Sequence, residues 1–389
     1  MDHVTASSGV ILPVPPAGLT SPPLSMPTSA VVSRIDGYDF ARALAVIGMT
    51  VVNYYGIFRS SLKAPLPFAG PGEFLSGRAA VLFVMLAGVG VTLLAKRPIL
   101  AGDASAMRRF RIQIFRRCLV LFVMGTLFHL IWSADILHFY ALFLSMGALC
   151  VTLSGRRLWL LVAAIWVTAT LVFTTTLGDP CFGELLFVPK PFLNAMDDLL
   201  LGGFYAAFPF FSFLLAGIWF GRPEVINRPN RHSLIFVAAL IVFVTAEILM
   251  AQGETLFVLP VGQESPLATF FENSSFPPSP LFALSAGAGA MMTIIFSVTI
   301  TRLSLFAGLV QNLKHIGKLS LTIYIGHVCI GLAVEPLFKQ YLGSSTYAVV
   351  VTCFTDMVLI GQYYFARAWC CRFDRGPLEW LLRRLSATG

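Results

Sequence analysis

Residues 78–117 read RAAVLFVMLAGVGVTLLAKRPILAGDASAMRRFRIQIFRR. From Ala79 to Ala95 there is no charge, and Thr92 alone carries a polar side chain. Seven cations follow (Lys96, Arg97, Arg108, Arg109, Arg111, Arg116 and Arg117) against a single Asp103. In hydrocarbon every backbone N–H and C=O must be paired internally, which leaves only helices or a closed barrel. The apolar run shows no two-residue alternation, and that selects the helix. A basic loop beside such a run marks the cytosolic side of a membrane.

The rest of the chain extends the same pattern. It is 57% hydrophobic and 12% charged, with a mean hydropathy of +0.80. Soluble domains carry about 25% charge, so a soluble globular class is excluded. Apolar runs of membrane-spanning length fall at roughly 39–58, 78–96, 115–133, 136–154, 158–176, 198–220, 233–251, 281–301, 319–338 and 346–367. They predict an all-α polytopic membrane helix bundle with about ten transmembrane helices. Residues 1–33 are rich in Pro and Ser and nearly uncharged, which predicts a disordered cytosolic tail.

Alternation across the membrane tests the count. If 96–117 is cytosolic, the next basic clusters on that side are Arg156–Arg157, then Arg222, Arg228 and Arg231. After those come Arg302, Lys314 and Lys318, and then Arg367, Arg372, Arg375, Arg383 and Arg384. All fall on one face, so both termini are expected in the cytosol. The net charge of +8 is then this bias, with contacts to anionic membrane lipids, and implies no nucleic acid. The seven cysteines are scattered without the spacing of a metal site, so no metal is expected.

Ionisable residues inside a span are functional candidates, because they are costly to place there. Arg34, Asp36, Asp39 and Arg42 open the first span, and Asn53 lies near its outer end. His129, Asp135 and His138 mark the junction of spans three and four, His327 lies within span nine and Asp356 within span ten. Asn53, His129, Asp135 and His138 are expected at one outward-facing cavity. An imidazole with a carboxylate partner takes a proton from a hydroxyl or amine, and an asparagine amide holds a developing oxyanion. The plainer readings stand beside these. Asp135 caps the next helix, His138 is a headgroup-level residue, and His327 hydrogen-bonds to a neighbouring helix. Asp39 and Arg42, three apart, pair on one helical face.

The order of motifs resembles a known family. RIDGYDFARALAVIGMTVVNY, through Arg34, Asp39, Arg42, Ala45, Gly48 and Asn53, resembles the first helix of the YeiB-like bacterial inner-membrane proteins of unknown function. GTLFHLIWSADILHFYA resembles their second motif through His129, Trp132, Asp135 and Tyr140, with Ala134 in place of the usual glycine. FYAAFPFFSFLLAGIWFGR, HIGKLSLTIYIGHVCI (Gly317, Thr322, Tyr324, His327) and RGPLEWLLRRL (Gly376, Pro377, Glu379, Trp380) follow in the family's order. That family is similar to transmembrane acyltransferases, which include heparan-alpha-glucosaminide N-acetyltransferase and the membrane O-acetylases.

The resemblance implies an integral membrane acyltransferase in a bacterial inner membrane. It implies a transmembrane domain over 34–368 and a cytosolic amphipathic segment over 369–389. Acyl-CoA, as acetyl-CoA, is the implied co-substrate, with no tightly bound cofactor; its phosphates would lie near Arg34, Arg42 and the basic loop 96–117, with Asp39 counted in the same donor-binding set. The acceptor would be a glycan or a lipid-linked sugar, and a homodimer is compatible with the pattern. Asn53 matches an asparagine implicated in catalysis in the lysosomal enzyme, whose catalytic histidine lies shortly beyond it. The segment YYGIFRSSLKAPLPFAGPGEFLSGR holds no histidine, so His129, oriented by Asp135, is expected as the base. His327, His138 and Asp356 are secondary candidates. The same polar set also suits a proton-coupled transporter or flippase-like carrier, or an inactive membrane scaffold.

Overall fold

A computed structural model describes residues 36–59, 66, 68–176, 207–226, 228–256, 270–276, 278–303, 306–342 and 344–387. The expected tail over 1–33 and Arg34 lie outside them. Among the described residues the fold is all helical, with a lone bridge between Ser275 and Pro278. Among the described residues seven stretches are long and apolar enough to cross a membrane: Asp36–Arg59, Ala69–Ala101, Ala104–His129, Asn230–Gly253, Pro280–Ile300, Ser320–Tyr341 and Thr346–Cys370.

The helices are α1 (Asp36–Arg59), α2 (Ala69–Leu75), α3 (Arg78–Ala101), α4 (Ala104–His129), α5 (Leu137–Cys150) and α6 (Gly155–Thr176). Then follow α7 (Ala207–Phe220), α8 (Pro223–Ile226), α9 (Pro229–Leu256), α10 (Pro280–Ile300) and α11 (Ala307–Lys318). The chain ends with α12 (Ser320–Tyr341), α13 (Ser344–Cys370) and α14 (Pro377–Ser386). The expected fourth span is shorter than its apolar run suggested. Trp132 and Asp135 sit in a turn, so α5 keeps 14 residues, about 21 Å of helix against a hydrocarbon core of about 30 Å.

Helix α1 is the hub. Asp36 and Asp39 sit in its first turn and Arg59 in its last, matching the helix dipole. It is buried along its length, from Tyr38 to Phe58. Gly48 packs beside Ala79 and Gly90 lies beside Arg42, so α3 runs antiparallel to it. Helices α3 and α7 touch backbone to backbone: a Cβ on Gly217 would strike the Met85 carbonyl, and one on Gly88 the Leu214 carbonyl. Small residues allow that approach, which dispersion then rewards. Helices α11 and α12 run alongside α1. Lys314 pairs with Asp36 at 2.9 Å, Gly317 lies against the Asp39 carbonyl, and α13 is tied on by Gln362 Nε2 donating to Thr50 Oγ1 at 3.0 Å.

A second polar tie joins α3, α9 and α10. Gly77 turns the chain with φ of +69°, and Arg78 then bonds Glu247 at 2.5 Å and Ser285 at 3.2 Å. Helix α9 covers α10 and exposes Leu234, Val237 and Ile241 outward, as a lipid-facing helix does.

Candidate active site

Asn53 and His327 are both buried, and they meet. The Asn53 amide nitrogen lies 3.0 Å from His327 Nε2. His327 Nδ1 lies 2.9 Å from the Ile323 carbonyl. A carbonyl only accepts, so Nδ1 carries the proton and Nε2 accepts from the Asn53 NH2. Tyr54 donates its hydroxyl to the His327 carbonyl at 3.0 Å. Two consecutive residues of α1 therefore fix both the ring and the backbone of one histidine on α12. The reading of His327 as hydrogen-bonded to a neighbouring helix holds, and the neighbour is the first span.

Asp135 is completely buried in the turn after α4. One carboxylate oxygen accepts from the Leu137 amide at 3.0 Å and lies 3.3 Å from His138 Nδ1. The other accepts from the Tyr324 hydroxyl at 3.2 Å. Asp135 takes the first amide of α5 from one position before the cap, whereas the cap residue itself is Ile136, which makes no side-chain cap bond. Tyr324 stands one turn before His327 on α12, with ring centroids 5.8 Å apart in an edge-on contact. Hydrogen bonds therefore join His138, Asp135 and Tyr324 on one side and His327 and Asn53 on the other, and the two sets meet where the Tyr324 ring packs edge-on against the imidazole.

Several sequence expectations change place. His129 is not among the partners of Asp135. It is the last residue of α4 and lies on that helix's exposed side, while Phe110, Ile114, Cys118, Leu121, Gly125 and Phe128 form the buried stripe. Its ring rests edge-on against His138, 5.0 Å between centroids. His138 is mostly buried, with 13% of its side chain exposed. Asp356 lies on the exposed face of α13 and is not brought to this cluster. Arg42 pairs with Asp39 at 2.7 Å, as their spacing predicts, and its charge is partly committed there.

Tyr324 appeared in the sequence only as one letter of a motif. The available signal was its position three residues before His327, which places both on one face. Trp132, at the same turn, packs between the main core and the cluster of Tyr54, Phe58 and Tyr347. Its indole N–H and the Tyr347 hydroxyl are buried without hydrogen-bond partners among the described residues.

A family model described as heparan-alpha-glucosaminide N-acetyltransferase, catalytic, matches residues 34–231, just over half of the chain. The chain belongs to that family. A model described as a protein of unknown function (DUF418) matches residues 220–388, in line with the motif order read from the sequence. No curated protein matches the chain. Asn53, His129, Asp135 and His138 fall within the first match, and Tyr324, His327 and Glu379 within the second. The hydrogen bond between Asn53 and His327 crosses from one family match to the other. Among the described residues no group of three His, Cys, Asp or Glu is placed to hold a metal ion.

Proposed function

We propose that the protein is an integral membrane acyltransferase that moves an acetyl group from cytosolic acyl-CoA to a glycan or lipid-linked acceptor at the outer face of a bacterial inner membrane. The observation that carries the reading is the Asn53–His327 bond within a chain of this acyltransferase family. In this reading the shorter helices α5 and α7, with α6, join the seven long stretches as ten crossings, an even number that leaves both termini on one side, and the basic loops favour the cytosol for that side. A homodimer is compatible with the exposed apolar faces.

The base in this reading is His327 rather than His129. The Asn53 amide turns from Nε2 to the thioester oxygen as the acceptor enters. Nε2 takes the acceptor's O–H proton, the freed oxygen attacks the acyl carbon, and the C–S bond breaks. The departing CoA sulfur takes the proton back from His327 and leaves as the thiol. Asn53 stabilises the charge that develops on the carbonyl oxygen. Asp135 acts through Tyr324, which holds the neighbouring face of the imidazole. The Trp132 N–H and Tyr347 hydroxyl, without hydrogen-bond partners among the described residues, are groups that could meet acceptor hydroxyls. Donor phosphates would lie at the basic end of α4 and at Arg42.

The test is CoA release from acetyl-CoA by purified protein in proteoliposomes, with polysaccharide and lipid-linked sugar extracts as acceptors. His327→Ala is expected to lose about 10²–10⁴-fold, the usual contribution of a positioned acid–base group. His129→Ala is expected to stay within a few-fold of wild type. Wild-type turnover with full activity in folded His327→Ala overturns the assignment of the base. No acceptor-dependent release by wild type overturns acyl transfer for these substrates.

A further inference from the structure

The C-terminal helix α14 turns Leu382 and Ser386 inward and packs on α4. Its other side is left open. Trp380 is 51% exposed and Leu385 58%, with Arg383 and Arg384 exposed between them. The Arg384 guanidinium lies over the Trp380 ring, 5.1 Å from its centroid. Just before the helix, Arg372, Phe373 and Arg375 are also exposed. Cations interleaved with an exposed tryptophan, leucine and phenylalanine suit the boundary between water and lipid. A soluble anion would pair with the arginines and leave the apolar groups in water.

The same helix reaches the site. Glu379 Oε1 accepts from the backbone amides of Leu321 at 2.7 Å and Thr322 at 3.2 Å. Its Oε2 accepts from the Thr322 hydroxyl at 2.6 Å, and that hydroxyl accepts from the Leu378 amide at 3.2 Å. The first amides of α12 have no partner within their own helix. They are capped instead by a carboxylate from 57 or 58 residues away. Gly376 makes room for this, since a Cβ there would meet the Glu379 carboxylate and the Thr322 hydroxyl. Tyr324 follows two residues after Thr322, and His327 three residues later.

We propose that Arg372, Arg375, Arg383 and Arg384, with Trp380 and Leu385, dock anionic phospholipid headgroups, and that Glu379 carries this docking to the start of α12. Bound lipid holds α14 in place, and α14 holds the cap from which Tyr324 and His327 project. The proposal is independent of the reaction the site performs.

The test uses full-length protein in nanodiscs of phosphatidylcholine alone, or with about one-third phosphatidylglycerol. Two readouts are followed: Trp380 emission, as the difference from Trp380→Phe, and hydrogen exchange of the Leu321 and Thr322 amides. Anionic lipid is expected to shift the emission to the blue and to slow exchange. Arg383→Gln/Arg384→Gln, both exposed, is expected to weaken the lipid response about fivefold per cation removed. Glu379→Gln is expected to keep the emission shift while exchange loses its lipid dependence. Either readout responding equally in the two membranes overturns the proposal, as does inorganic phosphate reproducing both effects in phosphatidylcholine discs.

Discussion

Asn53 of α1 and His327 of α12 are joined by a 3.0 Å hydrogen bond across 274 residues of sequence. Removing either leaves a buried polar group alone. A double-mutant cycle of Asn53→Ala and His327→Ala, read by thermal unfolding in detergent, is expected to show coupling of about 1 kcal/mol, the scale of interhelical hydrogen bonds in membranes. Strict additivity of the two changes would break the assignment.

The backbone contact between α3 and α7 predicts opposite signs for two glycine changes. Gly217→Ala drives a methyl into the Met85 carbonyl and is expected to cost about 1–3 kcal/mol. Gly361→Ala in α13 meets nothing within 4 Å and is expected to stabilise by roughly 0.5–1 kcal/mol, because glycine is a poor helix residue. Unfolding midpoints of the two variants decide the matter.

Arg78 has 9% of its side chain exposed, and it also packs over the rings of Phe74 and Phe282. Arg78→Met leaves Glu247 without its cation and is expected to cost about 3 kcal/mol. Arg78→Met with Glu247→Met removes both charges and is expected to recover most of that loss. If the double variant is as unstable as the single one, the penalty lies in packing and not in the orphaned charge.

His315, on α11, is expected to make stability fall in mild acid. Burial, followed by the nearby Lys318 and Lys314 ammoniums, holds its imidazole below the ordinary range. The unfolded chain therefore takes up this proton first as pH falls. The contribution is whole above an unfolded value of about 6.5 and is lost as pH drops through the folded one. His315→Gln should flatten the midpoint against pH between about 7.5 and 5; an unchanged slope would assign the acid sensitivity elsewhere.

The helices and the short list of polar residues were legible because charge is so scarce here that each ionisable group stands out. Asp39 and Arg42 pair as their spacing indicates, since that spacing is local. The partners of Asn53 and Glu379 were not legible, because periodicity reports which elements form and says little about which distant element they meet. His129 and Asp356 looked alike in sequence, ionisable residues at the end of or within a span. Close to each of them the helix is apolar nearly all round, over residues 118–128 and 357–360, so the nearby sequence carries little mark of which side is covered, and both lie on exposed faces. The motif pairs Asp135 with His129, six residues upstream, whereas the turn geometry delivers it to His138, three residues downstream, and to Tyr324.

The distance along the chain between Asn53 and His327 also sets an order of events during biosynthesis. At about 5–20 residues per second, the ribosome adds the intervening 274 residues in roughly 15–55 s. Throughout that interval α1 has been made and its asparagine lacks the histidine it bonds in the finished fold. The hub helix must enter the bilayer on its apolar content alone, and the last third of the chain closes the site around it.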